Sequence, residues 1–378
     1  MDKSIFTANA TGKVIKTERD YLAFVPDSLP PKLEFSNNLV GTLSQADIAL
    51  GKLAGAAKRL PNPHLLIRPY LRKEAVLSSK IEGTQASLSD LFEAEIGAVQ
   101  KTDDIKEVNQ YVKAMEYGLR RIKEFPLSLR FVCELHRILM EGVRGSHATP
   151  GEFRTSQNWI GKPGCTLEEA TFVPPPVTEM QKALNEWEIY LHQNQKFPAL
   201  VDSAIVHYQF EAIHPFLDGN GRIGRLLITL LLVHKEVLSL PLLYLSAFFE
   251  RHRSEYYEHL MQVSTNGQWN DWLTFFLRGV REQATEALTN ADKILALKEE
   301  YDELIKQHHL STTVSRTLDL LFHNPYITIS RATALLKTTF VTAKRSVLHL
   351  EKLGIVKEVS GKEKGKIFLA TKLLEVLN

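Results

Sequence analysis

Cysteine is nearly missing from this chain. Two thiols, Cys133 and Cys165, in 378 residues exclude a disulfide framework, and neither forms a CxxC pair or sits among histidines at metal-ligand spacing, so a thiolate zinc site is excluded as well. A reducing compartment is the simplest reading. An excess of charge of one sign is lacking too: 46 Lys and Arg stand against 44 Asp and Glu, so attraction to nucleic acid would have to come from a local patch and not from the overall field. Long apolar runs are absent. The most apolar stretch, 226–233, is too short for a bilayer, and the segment Met1 to Thr7 lacks the apolar run and cleavage site of a secretion signal, so no membrane partner and a cytoplasmic location are expected. No internal repeat or low-complexity segment stands out. What is present, 44% hydrophobic and 24% charged residues, is the composition of a folded chain with two or three cores.

Along the chain, residues 1–64 read as a mixed N-terminal extension, with a short strand at 21–25 closed by Pro26, a linker at Leu29-Pro30-Pro31, and little chemistry. From Leu65 to about Phe125 apolar residues recur at helical spacing, with Gly83 as an interruption. A further helix is expected over 129–142. The residues from Gly151 to Gly161 and then Thr171 to Pro174 suggest a hairpin. Helical pattern resumes over 176–193, 198–213 and 221–235, the last apolar on nearly every side and so the buried centre of a bundle. These elements make a mainly α core over 65–281. A one-sided helical arm follows over 282–310, and a small separate domain over 311–378.

The chemistry concentrates where the helix ending near Ile213 meets the one beginning near Arg222. Asp218-Gly219-Asn220-Gly221 places two glycines at a helix N-terminus, where free N–H groups and the helix dipole favour an anion and glycine permits close approach. Arg222 and Arg225, three apart on the first turn, can grip further phosphate oxygens, and Asn220 can donate to another. Asp218 is an oxygen ligand of the kind Mg²⁺ takes when phosphates and water fill its other positions. His214 precedes Pro215, which disfavours helical geometry at the histidine and turns its imidazole toward the anion site. A neutral imidazole there can accept a proton from an attacking hydroxyl.

The run His214-Pro215-Phe216-Leu217-Asp218-Gly219-Asn220-Gly221-Arg222-Ile223-Gly224-Arg225 resembles the signature of the Fic family, His-x-Phe-x-Asp/Glu-Gly-Asn-Gly-Arg-x-x-Arg, with every specified position filled. The resemblance implies a Fic-type helical bundle with a β-hairpin flap, and a protein adenylyltransferase that moves AMP from ATP to a Ser, Thr or Tyr hydroxyl of a target protein, itself included. It implies His214 as base, Asp218 as the Mg²⁺ ligand, and the stretch from Gly219 through Ile223 and Gly224 to Arg225 as the ATP site. Phe216 would anchor the loop in the core. Tyr256 and Tyr257 correspond in position to aromatic residues near adenine, and the hairpin from Asn158 to Pro174 matches the flap on which a target strand pairs. A homodimer is an expected arrangement for this family. The motif leaves open transfer of UMP, phosphate or phosphocholine, removal of AMP, and a regulator that merely senses nucleotide.

A second stretch, Ser78-Ser79-Lys80-Ile81-Glu82-Gly83, resembles the family's inhibitory motif, Ser/Thr-x-x-x-Glu-Gly/Asn, placed N-terminal to the core as in its second class. Glu82 shares a helix face with Ser78, and a carboxylate reaching Arg225 would take the place of the γ-phosphate, so that ATP binds only in a non-productive pose.

Near the C-terminus, helices at 330–336 and 341–353, then strands at 355–359 and 366–369, follow the order of a winged-helix domain, which the segment resembles. Lys344, Arg345, Lys362, Lys364 and Lys366 offer contacts to DNA phosphates. The interspersed Glu351, Glu358 and Glu363 leave a protein-contact role open.

Overall fold

A computed structural model describes residues 1–59, 64–144, 149–162, 164–193, 196–238 and 240–377. The mainly helical expectation holds, with few strands. Two strands, β1 (Gly12–Lys16) and β2 (Leu22–Pro26), pair antiparallel at the N-terminus. Helix α1 (Asn37–Arg59) follows in the region expected to be of mixed character. Its buried residues Leu39, Ala46, Leu50, Leu53 and Ala57 form a helical stripe of spacing seven, four, three and four. Glycines at 41, 51 and 55 weaken that pattern in the sequence.

Next come α2 (His64–Ile81), α3 (Leu88–Glu95), α4 (Asp103–Arg121) and α5 (Leu129–Leu139). Serine and threonine set their starts: Ser87 and Asp90 close a capping box on α3, while Thr102 and Ser128 cap α4 and α5, each satisfying N–H groups the helix leaves open. Helices α6 (Val177–His192), α7 (Ala199–Ile213) and α8 (Asn220–His234) complete the centre. Nearly every residue of α7 and α8 is buried, so their mutual packing fixes whatever lies between them. Trp187 and Trp272 donate their indole N–H to Val206 and Ala204 carbonyls at 3.1 Å, pinning α7 from two sides.

Helices α9 (Ser246–Arg251), α10 (Arg253–Asn266) and α11 (Trp269–Gln307) follow. The arm expected after 281 is the continuation of α11, 39 residues and roughly 58 Å at 1.5 Å per residue, and α1 packs along it.

The C-terminal region comprises α12 (Thr312–His323), β3 (Tyr326–Thr328), α13 (Ile329–Leu336), α14 (Phe340–Lys352), β4 (Lys357–Glu358), β5 (Ile367–Leu369) and α15 (Thr371–Leu377). Its antiparallel sheet runs β3-β5-β4. Helix α12 packs against α2, and Asn324 donates to the Phe92 carbonyl at 3.0 Å and to Glu95 at 3.2 Å. The region therefore rests on the helices that precede the central loop.

The hairpin expected between Asn158 and Pro174 is reduced to a single antiparallel bridge, Ile160 with Phe172, closed by bonds of 2.8 and 3.0 Å; Pro163 lies outside the described residues. Strand β2 braces it, since Phe24 N–H donates to the Val173 carbonyl at 2.8 Å and the Phe24 ring lies 5.5 Å from that of Phe172.

Candidate active site

Helix α7 ends at His214 in left-handed geometry, φ 49° and ψ 62°; the following proline disfavours a continued helix, and the loop's other contacts set the left-handed turn. The bend is held from beneath. Phe216 is fully buried and stacks face to face on His136 with centroids 3.7 Å apart. Asn220 closes the loop on itself: its Oδ1 accepts from Phe216 N–H and its Nδ2 donates to the Phe216 carbonyl, both at 2.8 Å. The side chain expected to reach a phosphate thus also shapes the loop, through its Oδ1 and one of its two N–H groups.

His136 supplies the second brace. Its Nδ1 accepts from Gly151 N–H at 2.9 Å, which leaves Nε2 protonated to donate to the Asp218 carbonyl at 3.0 Å. Burial pushes its pKa down to about 4, so the ring stays neutral. Arg154 and Asn158 hold the loop from the flap side, each donating to the His214 carbonyl at 3.0 Å.

The reactive groups point the other way. His214 keeps its side chain one-fifth exposed, and its Nδ1 lies 3.2 Å from the Glu211 carbonyl. That contact requires Nδ1–H, so the lone pair is on Nε2, the state a general base needs. Burial lowers the His214 pKa to about 4, assisted by the Arg154 charge and opposed by the Glu211 carbonyl, Glu82 and Asp218. Glu211 is part-buried, its Oε1 wholly buried and unpartnered, and desolvation raises its pKa to about 8.

Gly219, at φ 82°, precedes the first turn of α8, and its N–H donates to Asp218 Oδ1 at 2.6 Å. The Asp218 side chain is half exposed. Among the described residues no cluster of three or more His, Cys, Asp or Glu could hold a metal, so a cation here would rest on Asp218 with its remaining ligands from nucleotide and water. This suits Mg²⁺, which keeps several waters and takes phosphate oxygens.

Arg222 and Arg225 are both buried but held by different partners. Arg222 Nη2 donates to Asp218 Oδ1 at 3.3 Å and Nη1 lies 3.7 Å from Glu107; its Nε and Nη1 have no hydrogen-bond partner. Arg225 is gripped by the end of α2: Nε donates to Ser78 Oγ at 2.9 Å, and Nη2 to the Ser78 carbonyl at 2.9 Å and Glu82 Oε1 at 2.6 Å. A Cβ on Gly221 would lie 2.2 Å from Glu82 Oε1, so glycine is required for the carboxylate to sit over the start of α8. Burial alone would raise the Glu82 pKa, but the charge and hydrogen bond of Arg225, with Arg222 and His214, bring it below the usual carboxylate value. Gly83 follows with φ 102°, turning the chain away.

Ile223 and Gly224 are buried in the first turn of α8. Tyr256 is closed into the core, its hydroxyl 2.8 Å from His207 Nε2 and its ring 4.5 Å from that of Phe249. Tyr257 is 42% exposed and so is the one of the pair that can meet a base.

Residues 126–232 match the Fic/DOC family and residues 40–120 its N-terminal region. Over these residues the chain is similar to the Fic/DOC family. Proteins named protein adenylyltransferase Fic align with it: that of Aedes aegypti is 30% identical over 207 residues, 52% of this chain and 37% of the relative, and that of Drosophila grimshawi is 27% identical over 256 residues, 63% and 48%. The chain thus spans less than half the length of these relatives. In fold, a Fic family protein from Desulfovibrio desulfuricans G20 superposes with TM-score 0.59 at 18% identity, covering 90% of this chain and 98% of the other. Fic-1 from C. elegans gives 0.52 at 18% identity, covering 68% and 74%.

The loop's outward groups were readable in sequence; its braces His136, Arg154 and Asn158, the buried Glu107 and the part-buried Glu211 were not. A single polar residue in a helix or loop carries no periodic signal of being buried. Only the neighbouring carbonyls and rings give it a role.

Proposed function

We propose that this chain transfers AMP from ATP to a Ser, Thr or Tyr hydroxyl of a protein and is restrained by its own Glu82. The observation that carries the reading is the carboxylate of Glu82, seated over Gly221 at a helix N-terminus and bonded to Arg225, where an anion is favoured by free N–H groups and dipole. A polyphosphate needs the same position. Its phosphates would take the N–H groups of Asn220 and Gly221, that of Gly219 once it leaves Asp218 Oδ1, the unpaired donors of Arg222, and Arg225 once Glu82 lets go.

The target hydroxyl attacks the α-phosphorus, the bond to the bridging oxygen breaks, and pyrophosphate leaves. His214 Nε2 takes the hydroxyl proton, and the Glu211 carbonyl holds Nδ1–H and so the tautomer. Mg²⁺ at Asp218 would neutralise phosphate charge. Orientation and preset charge supply the rate. The exposed edge at Trp159, next to Ile160, whose own N–H and carbonyl are bonded to Phe172, offers main-chain groups to a target strand.

The C-terminal region is read as a winged helix from its element order and sheet. Its partner is proposed to be DNA through Lys344 and Arg345 of α14 and Lys362, Lys364 and Lys366 at the β4-β5 turn. A duplex shift that weakens with salt supports this; no binding at low salt assigns the region to protein contact, self-association as a homodimer included. A cytoplasmic location belongs to the same proposal.

The deciding experiment is incubation with Mg²⁺ and α-labelled ATP. Label entering protein with the Glu82→Gly variant and vanishing with an added His214→Ala change is the expected result. Equal labelling without His214 would overturn the base assignment, and label appearing only from the γ-phosphate would replace AMP transfer by phosphate transfer.

A further inference from the structure

The flap root holds a charge in an unusual setting. Arg154 is 1% exposed, and among the described residues no carboxylate pairs with it. Burying a guanidinium without a counter-ion is costly, so a residue that served only to fill space would be apolar. Its donors go instead to backbone carbonyls in three segments: Nε to His214 at 3.0 Å, Nη1 to Ser156 at 3.2 Å and Nη2 to Pro175 at 2.5 Å. Its own N–H donates to the Pro215 carbonyl at 2.9 Å. Ser156 and Pro175 flank the two arms of the flap at its root.

The neighbours repeat the pattern. Asn158 donates to the carbonyls of His214 and Phe216 at 3.0 and 2.8 Å, and Gln157 ties the arms together through Asn158 and Pro174 carbonyls at 2.9 Å. A lysine, with a single donor head, cannot span the three carbonyls that the planar fork reaches.

We propose that Arg154 is a positioning residue for the AMP transfer read above: it fixes both arms of the flap to the carbonyl of His214, so that a target seated on the flap and the imidazole that deprotonates it share one rigid frame. Left-handed geometry at a non-glycine residue is strained and persists only while its surroundings hold it. The carbonyl of His214 is where the flap side holds it, beside the N–H that bonds the Phe210 carbonyl on the helix side. Nucleotide contacts lie on the opposite side of the loop, at Gly219 to Gly221, Arg222 and Arg225. The proposal therefore separates two effects: loosening Arg154 disturbs the base and leaves ATP binding alone.

The test compares Arg154→Lys and Arg154→Met, each with Glu82→Gly, against Glu82→Gly alone. Calorimetry with Mg²⁺-ATP is expected to give dissociation constants within about twofold of one another, while label from α-labelled ATP enters lysate protein at least tenfold more slowly in both arginine variants. Nitrogen-15 histidine spectra, which need no activity, are expected to show His214 as a single Nδ1-protonated tautomer in the parent and a mixture in Arg154→Lys, with His136 and His207 unchanged. Should Arg154→Met fail to fold, Arg154→Lys decides alone. Parent-like transfer or an undisturbed His214 tautomer in Arg154→Lys overturns the proposal, as does a loss of ATP affinity that parallels the loss of transfer. Absence of transfer in Glu82→Gly itself would sink the functional reading instead, and the spectra would still judge the placement of His214.

Discussion

Replacing Glu82 by glycine removes one acceptor from Arg225 and leaves its two bonds to Ser78 in place. The lost contact is a charge-assisted bond of 2.6 Å to a guanidinium almost wholly buried, on a carboxylate about one-third exposed. Hydrogen bonds to charged groups contribute about 1.5–3 kcal/mol net, and solvent access at the carboxylate places this one near the lower end. A difference of about 1.4 kcal/mol is tenfold in occupancy, so productive ATP binding, and with it the initial rate of transfer at subsaturating ATP, should rise by about tenfold or more. The assay is initial-rate labelling over a range of ATP concentrations, with intact mass identifying the added group. Glu82→Gln, which keeps an acceptor without the charge, should fall between. The same change leaves Arg225 buried without its carboxylate, so a lower melting temperature is expected, restored by Mg²⁺-ATP. Identical rates for wild type and Glu82→Gly at every ATP concentration would refute the competition outright.

His214→Ala should reduce transfer by about 10²–10⁴-fold, the range for a general base, with calorimetric ATP affinity retained. Acid should destabilise the fold before most carboxylates titrate: His136, His207 and His214 are held neutral by burial with pKa values of about 4, 3 and 4, so the unfolded chain binds protons below about pH 6.5 that the folded one refuses, at a cost on the order of 3 kcal/mol each as the pH falls toward 4. A melting temperature flat from pH 7 to 4 would contradict this. Glu211 has the opposite sign. Its pKa of about 8 against 4.5 when unfolded means its stability contribution is whole below 4.5 and is lost as pH rises to 8, so Glu211→Gln should match wild type at pH 5 and exceed it by a few kcal/mol above pH 8, as denaturant titration would reveal.

The sequence was informative where chemistry demands fixed residue types in a row. His214, Asp218, Gly219 to Gly221, Arg222 and Arg225 are such a run, and the proline after His214 foretold the departure from helix. Central helices α7 and α8 were legible because apolar residues surround them. Helix α1 was not, since three glycines interrupt a stripe that gains meaning only against α11. Nor was the fate of Asn220: an amide can serve a ligand or the loop's own backbone, and only the position of Phe216 decides. Tyr256 and Tyr257 are neighbours in sequence, yet a helix turns one into the core and the other outward.

The loop's polar groups divide into two kinds, and the division explains how one site can be both rigid and switchable. The His214 carbonyl, both Phe216 backbone groups and the Asp218 carbonyl have buried partners from His136, Arg154, Asn158 and Asn220; exchanging any of these would leave an unpaired group in a dry interior, so they stay fixed. Arg222 has two buried donors, Nε and Nη1, without a hydrogen-bond partner, the Asp218 side chain is half in solvent, and Arg225 is bonded to a carboxylate that water can reach. Those groups can change partner at small cost, because an incoming phosphate replaces one anion with another. Relief of the proposed restraint by Glu82 would therefore require no refolding of the loop: the end of α2 would need to move only far enough to surrender one guanidinium.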